Sequence, residues 1–115
     1  MNQNNELQID VQRNDAALVV VPQGEIDLSR SPILRSELSK LLGERPGRIV
    51  IDLSGVSYMD SSGVATLVEA LQQCRTNETT LTLCCLQERV KSIFEIARLD
   101  MVFTIADSLE KALEA

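Results

Sequence analysis

Three short apolar runs, rich in Val, Ile and Leu, constrain the fold of this chain more than any other feature. They lie at residues 17–21, 49–53 and 81–86. An apolar run of this length is typical of a strand that is buried on both faces, as the strands of parallel sheets are. Residues 7–11 instead alternate between apolar and polar side chains, which predicts a half-exposed strand ahead of the first run. A last short strand is predicted at residues 102–105.

Four further segments have apolar residues at helical spacing. The first begins at Ser31-Pro32, with the proline in its first turn, and ends at Gly43. Its predicted buried face comprises Leu34, Leu38, Leu41 and Leu42. The second begins after Asp60, and its sequence predicts that Thr66 faces away from the core. Its predicted apolar stripe comprises Val64, Leu67, Val68 and Leu71. Two shorter segments, one before and one after the last strand, complete the set.

Strands and helices therefore alternate after an opening β-hairpin. This alternation predicts an α/β fold with a small mixed, largely parallel β-sheet of about five strands, about four helices and right-handed crossovers. The length of 115 residues suits one domain, which we place at residues 1–115. Pro22 cannot donate to a ladder, so we expect the second strand to be bulged or near an edge at that residue.

The composition excludes several classes of function. A formal net charge of −6 opposes binding to nucleic acid and insertion into anionic membranes, because both carry the same sign of charge. The chain has no histidine, which is the commonest general base and the commonest metal ligand. No apolar run approaches the ~20 residues that span a bilayer. We therefore expect a protein partner, no direct nucleic acid, no catalytic residues, no metal and no cofactor.

The cysteines and the polar start of the chain indicate a cytoplasmic protein. Cys74, Cys84 and Cys85 form an odd set without the pattern of a secretory signal, which fits a reducing compartment. Neighbours on a strand point to opposite faces, so Cys84 and Cys85 are interpreted as structural thiols rather than as a zinc or redox pair. Residues 1–5 are expected to be disordered.

Two polar segments are expected at the carboxyl end of the sheet, where sites collect in open α/β folds. One contains Asp27, and the other has the sequence Asp60-Ser61-Ser62-Gly63. Asp60 is a good N-cap, and the two serines would lie in the first turn of the second helix with reachable hydroxyls. A helix N-terminus favours negative charge, so the fold would tolerate a phosphate there. Capping alone is the simpler interpretation of this turn.

Several stretches, taken in order, resemble STAS domains of the bacterial anti-sigma-factor antagonist type. The matching residues are 19–28 (VVVPQGEIDL), 49–56 (IVIDLSGV), 59–64 (MDSSGV), 90–99, 103–105 and 109–113. The resemblance covers nearly the whole chain. It implies a single STAS domain, in which the helices pack mainly on one side of the sheet.

The resemblance also implies a partner-switching function. In this family an unphosphorylated antagonist binds an anti-sigma factor that is also a serine kinase. The kinase phosphorylates the serine directly after the aspartate of the motif, the complex dissociates, and a serine phosphatase resets it. The implied acceptor is Ser61, with Ser62 as second choice, and Asp27 matches an acidic position near the acceptor. The implied partner-binding surface comprises Asp27, Asp60, Ser61, Ser62, Gly63 and Val64.

Alternatives remain beside this implied function. Some stand-alone STAS proteins are cytoplasmic subunits of lipid-transporting ABC systems and support assembly of the ATPase. Val64-Ala65 stands where many relatives have Leu-Gly, which alters the docking surface and leaves the acceptor intact. An enzyme is disfavoured, because the sequence has no histidine base, nucleophile elbow or Walker phosphate loop. Exposed sheet edges would permit a monomer or a weak dimer.

Overall fold

The computed structural model describes residues 7–15 and 17–114, so the expected disorder of residues 1–5 falls outside the described part. The strands are β1 (Gln8–Asn14), β2 (Ala17–Gln23), β3 (Arg48–Asp52), β4 (Thr80–Cys84) and β5 (Thr104–Ala106). The helices are α1 (Ser31–Leu42), α2 (Ser61–Asn77), α3 (Glu88–Ile96) and α4 (Leu109–Glu114). A single 3-10 turn, Leu99–Met101, lies between α3 and β5. The predicted α/β class is confirmed.

The five strands form one mixed sheet in the order β1-β2-β3-β4-β5. The hairpin of β1 and β2 is antiparallel, and every later pair is parallel. Each right-handed crossover therefore advances by one strand in the same direction, which places the three connecting helices on the same face. The expected packing of helices mainly on one side follows directly from this order.

The main core lies between that face of the sheet and helices α1, α2 and α3. Its fully buried side chains include Leu34 and Leu42 from α1, Ile51 from β3 and Phe94 from α3. Phe94 meets Phe103 edge to face, with ring centroids 5.5 Å apart and planes at 70°, an arrangement favoured by the ring quadrupoles. Aliphatic side chains supply most of the core, as the sequence predicts.

The opposite face of the sheet is covered by α4. Ala112 of this helix is fully buried against Val19 and Val50. The Arg48 guanidinium donates to the backbone oxygens of Ala112 at 3.2 Å and Leu113 at 2.6 Å. These oxygens belong to the last turn of a helix, where carbonyls have no partner within the helix. Arg48 therefore anchors α4 to the sheet.

The expectation that Thr66 faces away from the core is wrong. Thr66 is buried, and its hydroxyl donates to the Ser62 backbone oxygen at 2.9 Å. Because this bond within the helix satisfies the hydroxyl, burying Thr66 leaves no unpaired hydrogen-bond donor. The buried face of α2 comprises Gly63, Thr66, Leu67, Ala70, Leu71 and Cys74. Val64 and Val68 are only half-buried at its margin.

The structure refines the predictions made for Pro22 and for the start of the last strand. Pro22 aligns with Ile9 in a continuous register, so β2 has no bulge there. The ladder between β2 and β3 ends at Val20, two residues earlier, which leaves Pro22 at a local edge as expected. Strand β5 begins at Thr104, because the Phe103 amide donates to the Leu99 backbone oxygen at 2.9 Å instead of joining the ladder.

In the described part of the chain, no helix has both the length and the apolar character to cross a membrane.

Candidate functional site

The loops after β2 and β3 are joined by backbone hydrogen bonds beyond the ends of both strands. The Ile26 amide donates to the Tyr58 backbone oxygen at 2.9 Å, and the Asp60 amide donates to the Ile26 backbone oxygen at 3.2 Å. Ile26 and Met59 thereby form an isolated parallel bridge, and both side chains are buried. This bridge brings Asp27 to the start of α2, so the two polar segments lie together as predicted.

Asp60 caps α2. Its backbone is extended, and its Oδ1 accepts the amides of Ser62 at 2.9 Å and Gly63 at 3.3 Å. The Ser62 hydroxyl also donates to Oδ1, at 2.6 Å. The Ser62 hydroxyl, followed by the Gly63 and Ser62 amides, holds the pKa of Asp60 below its ordinary value. A carboxylate therefore remains charged at the positive end of the helix dipole.

The two serines of the turn differ in what their hydroxyls do. Ser62 is half-buried and its hydroxyl is part of the cap. Ser61 is exposed, and within residues 7–15 and 17–114 its hydroxyl has no hydrogen-bond partner. Modification of Ser62 would break a capping bond, whereas Ser61 projects outside the cap.

Asp27 is held by its own loop. Its Oδ1 accepts the Ser29 hydroxyl at 2.9 Å and the Arg30 amide at 3.0 Å, and its Oδ2 pairs with the Arg30 guanidinium at 2.8 Å. The Ser29 hydroxyl, with help from the Arg30 amide and guanidinium, lowers the pKa of Asp27. The sequence analysis placed Asp27 near the acceptor and missed its pairing with Arg30. The Asp-x-x-Arg spacing was the available signal.

Gly63 contributes close packing rather than an exposed contact. It is buried in the first turn of α2. A Cβ atom there would lie 2.6 Å from the Met59 Cγ, 2.9 Å from the Ile26 Cγ2 and 3.0 Å from the Ile26 backbone oxygen. Only glycine therefore lets the helix begin directly on the Ile26–Met59 bridge.

Exposed apolar side chains border this site. Leu28 follows Asp27 and is 75% exposed, and Tyr58 precedes the bridge at 39% exposed. The sequence analysis did not single out either residue, because an isolated leucine in a loop carries no periodic signal. Single exposed apolar side chains are common on protein surfaces, so Leu28 is of interest for its position next to Asp27 and not for its exposure alone.

The described hydrogen bonds of the Asp60 cap involve none of the cysteines. Burial raises the pKa of Cys74, inside α2, to about 11, and burial is also the main reason why the pKa of Cys84 is raised. The prediction that Cys84 and Cys85 point to opposite faces is wrong. Strand β4 ends at Cys84, and Cys85 has a left-handed backbone with φ of 64°, which breaks the alternation of the strand.

Comparisons with known proteins agree with this geometry. A family model described as "STAS domain" matches residues 8–112. The anti-sigma-B factor antagonist of Bacillus subtilis is 32% identical over 94% of this chain and 98% of its own. The putative anti-sigma factor antagonist BtrV of Bordetella bronchiseptica is 28% identical over 95% of this chain and 94% of its own. A solved anti-sigma factor antagonist from Mycobacterium paratuberculosis superposes with a TM-score of 0.89 at 23% identity, over 99% of this chain and 97% of that one. The similarity of that structure supports the fold described for this chain.

We expect Gly63→Ala to destabilise the protein by about 1–3 kcal/mol, because the added methyl overpacks the contact with Ile26 and Met59. Urea unfolding measures the change. The matched control is Ala65→Gly at an exposed position of the same helix, which costs about 0.5–1 kcal/mol through backbone entropy alone. A Gly63→Ala variant as stable as the parent would contradict the close packing described here.

The cap predicts a specific dependence of stability on pH. The pKa of the capping carboxyl group is lower in the folded protein than in the unfolded chain, where it is about 3.9. The charged group therefore stabilises the fold at pH values above about 3.9. This contribution is lost as the pH falls through the pKa of the folded state. We expect Asp60→Asn, which preserves a capping oxygen, to flatten the fall in unfolding free energy between about pH 5 and about pH 2.

Urea unfolding at a series of pH values makes this measurement. Asp107→Asn removes the same charge from an exposed position outside the cap and should leave the slope of the parent unchanged. Parallel curves for Asp60→Asn and the parent would show that the cap carboxylate does not contribute.

Proposed function

The chain belongs to the STAS domain family, and we propose that it is an anti-sigma-factor antagonist that phosphorylation of Ser61 switches off. The observation that carries the proposal is the contrast between the two serines. Ser61 presents an exposed hydroxyl, whereas the hydroxyl of Ser62 is held by Asp60 at 2.6 Å. The names of the curated relatives support the class of activity.

The partner proposed for the unphosphorylated form is an anti-sigma factor with serine kinase activity. Binding sequesters that factor, and the complex dissociates when the factor transfers a phosphoryl group to Ser61. A serine phosphatase then restores the free hydroxyl. In this scheme the chain is the substrate of both enzymes and performs no catalysis itself.

The capping geometry supports a modification that leaves the fold intact. Asp60 makes its capping bonds to Ser62 and Gly63, so a phosphate on Ser61 displaces none of them. The phosphate would also lie at the positive end of the α2 dipole, which favours anions by about 0.3–1 kcal/mol at an exposed position. The modification therefore costs the folded state little.

The charges around the turn support a large effect on binding. The Asp27 carboxylate, in the loop after β2, is already paired with the Arg30 guanidinium at 2.8 Å. Glu25 of the same loop is exposed, and the cap carboxylate of Asp60 keeps its negative charge. The unmodified surface thus combines these two carboxylates and one ion pair with the exposed side chain of Leu28. A phosphate adds about −1.5 to −2 charges to this surface. Burying that charge in an apolar contact without a cationic partner opposes binding strongly.

The site of phosphorylation is the direct test of this proposal. Incubation with the cognate kinase and ATP should add one phosphate to the parent chain, located on Ser61 by fragmentation mass spectrometry. Ser61→Ala should remain unmodified and keep its affinity for the kinase. Ser62→Ala removes one capping bond and should still be phosphorylated.

The matched pair of serine variants makes the result decisive. Phosphate on Ser62 in the parent, or undiminished phosphorylation of Ser61→Ala, would contradict the assignment of the acceptor. A parent chain that no kinase encoded in the same genome modifies would contradict the switching mechanism.

We expect Leu28→Ala to weaken binding of the partner by about tenfold or more, because burying an exposed leucine side chain against the partner stabilises the contact by about 1.5–3 kcal/mol. Isothermal titration calorimetry with the purified anti-sigma factor measures the change. Ile96→Ala is the control, since Ile96 is 84% exposed on α3, away from the turn. Equal losses for the two variants, or none for Leu28→Ala, would remove Leu28 from the interface.

A further inference from the structure

A second group of chemically reactive side chains lies where β3 and β4 end side by side. Asp52 is paired with Cys84 in the parallel ladder, and Cys85 follows directly. One carboxylate oxygen of Asp52 and the two sulfur atoms all lie within 4.8 Å of one another. Asp52 and Cys84 are the last residues of two adjacent strands, and Cys85 directly follows β4, so the fold itself brings the three ligand atoms together.

The backbone around the two cysteines is fixed on both sides. The Cys84 backbone oxygen accepts the Leu53 amide at 2.9 Å, and the Cys85 amide donates to the Ala106 backbone oxygen at 3.3 Å. Between these bonds Cys85 adopts its left-handed conformation, with φ of 64°. A side chain with a Cβ pays about 1–2 kcal/mol for this conformation. Asp15, Arg45, Glu78 and Arg98 share this conformation, so it sets the direction of the Cys85 side chain and does not by itself mark a site.

Asp52 is also oriented by its neighbours. Its Oδ1 accepts the Ser54 amide at 2.9 Å. The Gln87 side-chain amide donates to the Ser54 backbone oxygen at 2.8 Å, which ties this loop to the segment after the cysteines. Hydrogen bonds that hold a ligating carboxylate in place are a regular feature of metal sites.

From this geometry we propose that Asp52, Cys84 and Cys85 bind one thiophilic divalent cation, with Zn²⁺ as the natural occupant. Two sulfurs and one oxygen are a donor set suited to zinc, and they leave a fourth tetrahedral position for water or another ligand. At a Zn–S distance of about 2.3 Å, tetrahedral sulfurs lie about 3.8 Å apart. The two sulfurs lie within 4.8 Å of each other, so they have to approach by no more than about 1 Å to bind one cation.

Charge and access are both compatible with a cation. Each coordinating thiol gives its proton to solvent as the metal binds, and the cation balances most of the resulting negative charge. Cys84 is fully buried, whereas Cys85 is partly exposed, so the cation enters from the side of Cys85. The sulfur of Cys84 belongs to the core that α4 covers, whereas Ser61 begins a helix of the opposite face. The cation site therefore does not depend on the function proposed for Ser61.

Titration of the reduced, metal-free chain with Co²⁺ tests the proposal. We expect one Co²⁺ per chain, a thiolate-to-cobalt charge-transfer band in the near ultraviolet and the visible bands of tetrahedral cobalt. Added Zn²⁺ should abolish both signals by displacing the cobalt. Cys85→Ser should lose the charge-transfer intensity of one sulfur, and Asp52→Asn should lower the affinity by at least about tenfold.

Matched variants separate loss of ligands from loss of the fold. Cys74→Ala removes the third, buried thiol in α2 and should leave the titration unchanged. Circular dichroism should show the parent helix content in every variant used. An absent charge-transfer band, a band that Cys85→Ser retains in full, or a band that Cys74→Ala removes would each overturn the site.

Discussion

The short bridge between the loops after β2 and β3 is the interaction on which the site depends. The bonds of Ile26 to Tyr58 and Asp60 continue the parallel pairing after the sheet has ended. Without them, Asp27 and the start of α2 would belong to two independent loops. Gly63 lets α2 begin in direct contact with the bridge. The position of the Ser61 hydroxyl is therefore set by backbone hydrogen bonds and close packing rather than by a flexible turn.

The strand order explains why no ligand crevice is expected at this end of the sheet. In open α/β sheets a ligand crevice forms where the strand order reverses and neighbouring loops diverge. Here the described strands follow one another from β1 to β5, so successive crossovers stay on one face. The loops at the carboxyl end lie side by side and hold one another by hydrogen bonds. Such an end suits contact with another protein, and this agrees with a family whose curated relatives are named antagonists of a protein factor.

Much of the fold could be read from the sequence because local pattern and tertiary environment agree. The β-branched run of β2, the proline in the first turn of α1 and the Asp60 cap each have one favourable structure. The errors arose where a side-chain hydrogen bond or a backbone outlier decides the outcome. Thr66 can be buried because its hydroxyl donates to the Ser62 backbone oxygen of the same helix. Cys85 leaves the strand pattern through a left-handed φ of 64°. The pairing of Asp27 with Arg30 and the exposure of Leu28 depend on the path of a loop, which periodicity does not encode.

In the proposed switch, a phosphate on Ser61 changes binding and leaves the fold unchanged. The most direct test measures two quantities on one quantitatively phosphorylated sample: its affinity for the anti-sigma factor by calorimetry, and its free energy of unfolding in urea. We expect at least about a hundredfold loss of affinity, worth about 2.7 kcal/mol, with a free energy of unfolding within about 0.5 kcal/mol of that of the unmodified chain. Equal affinities would contradict the switch. A loss of affinity accompanied by a comparable loss of stability would show instead that the phosphate acts by unfolding the first turn of α2.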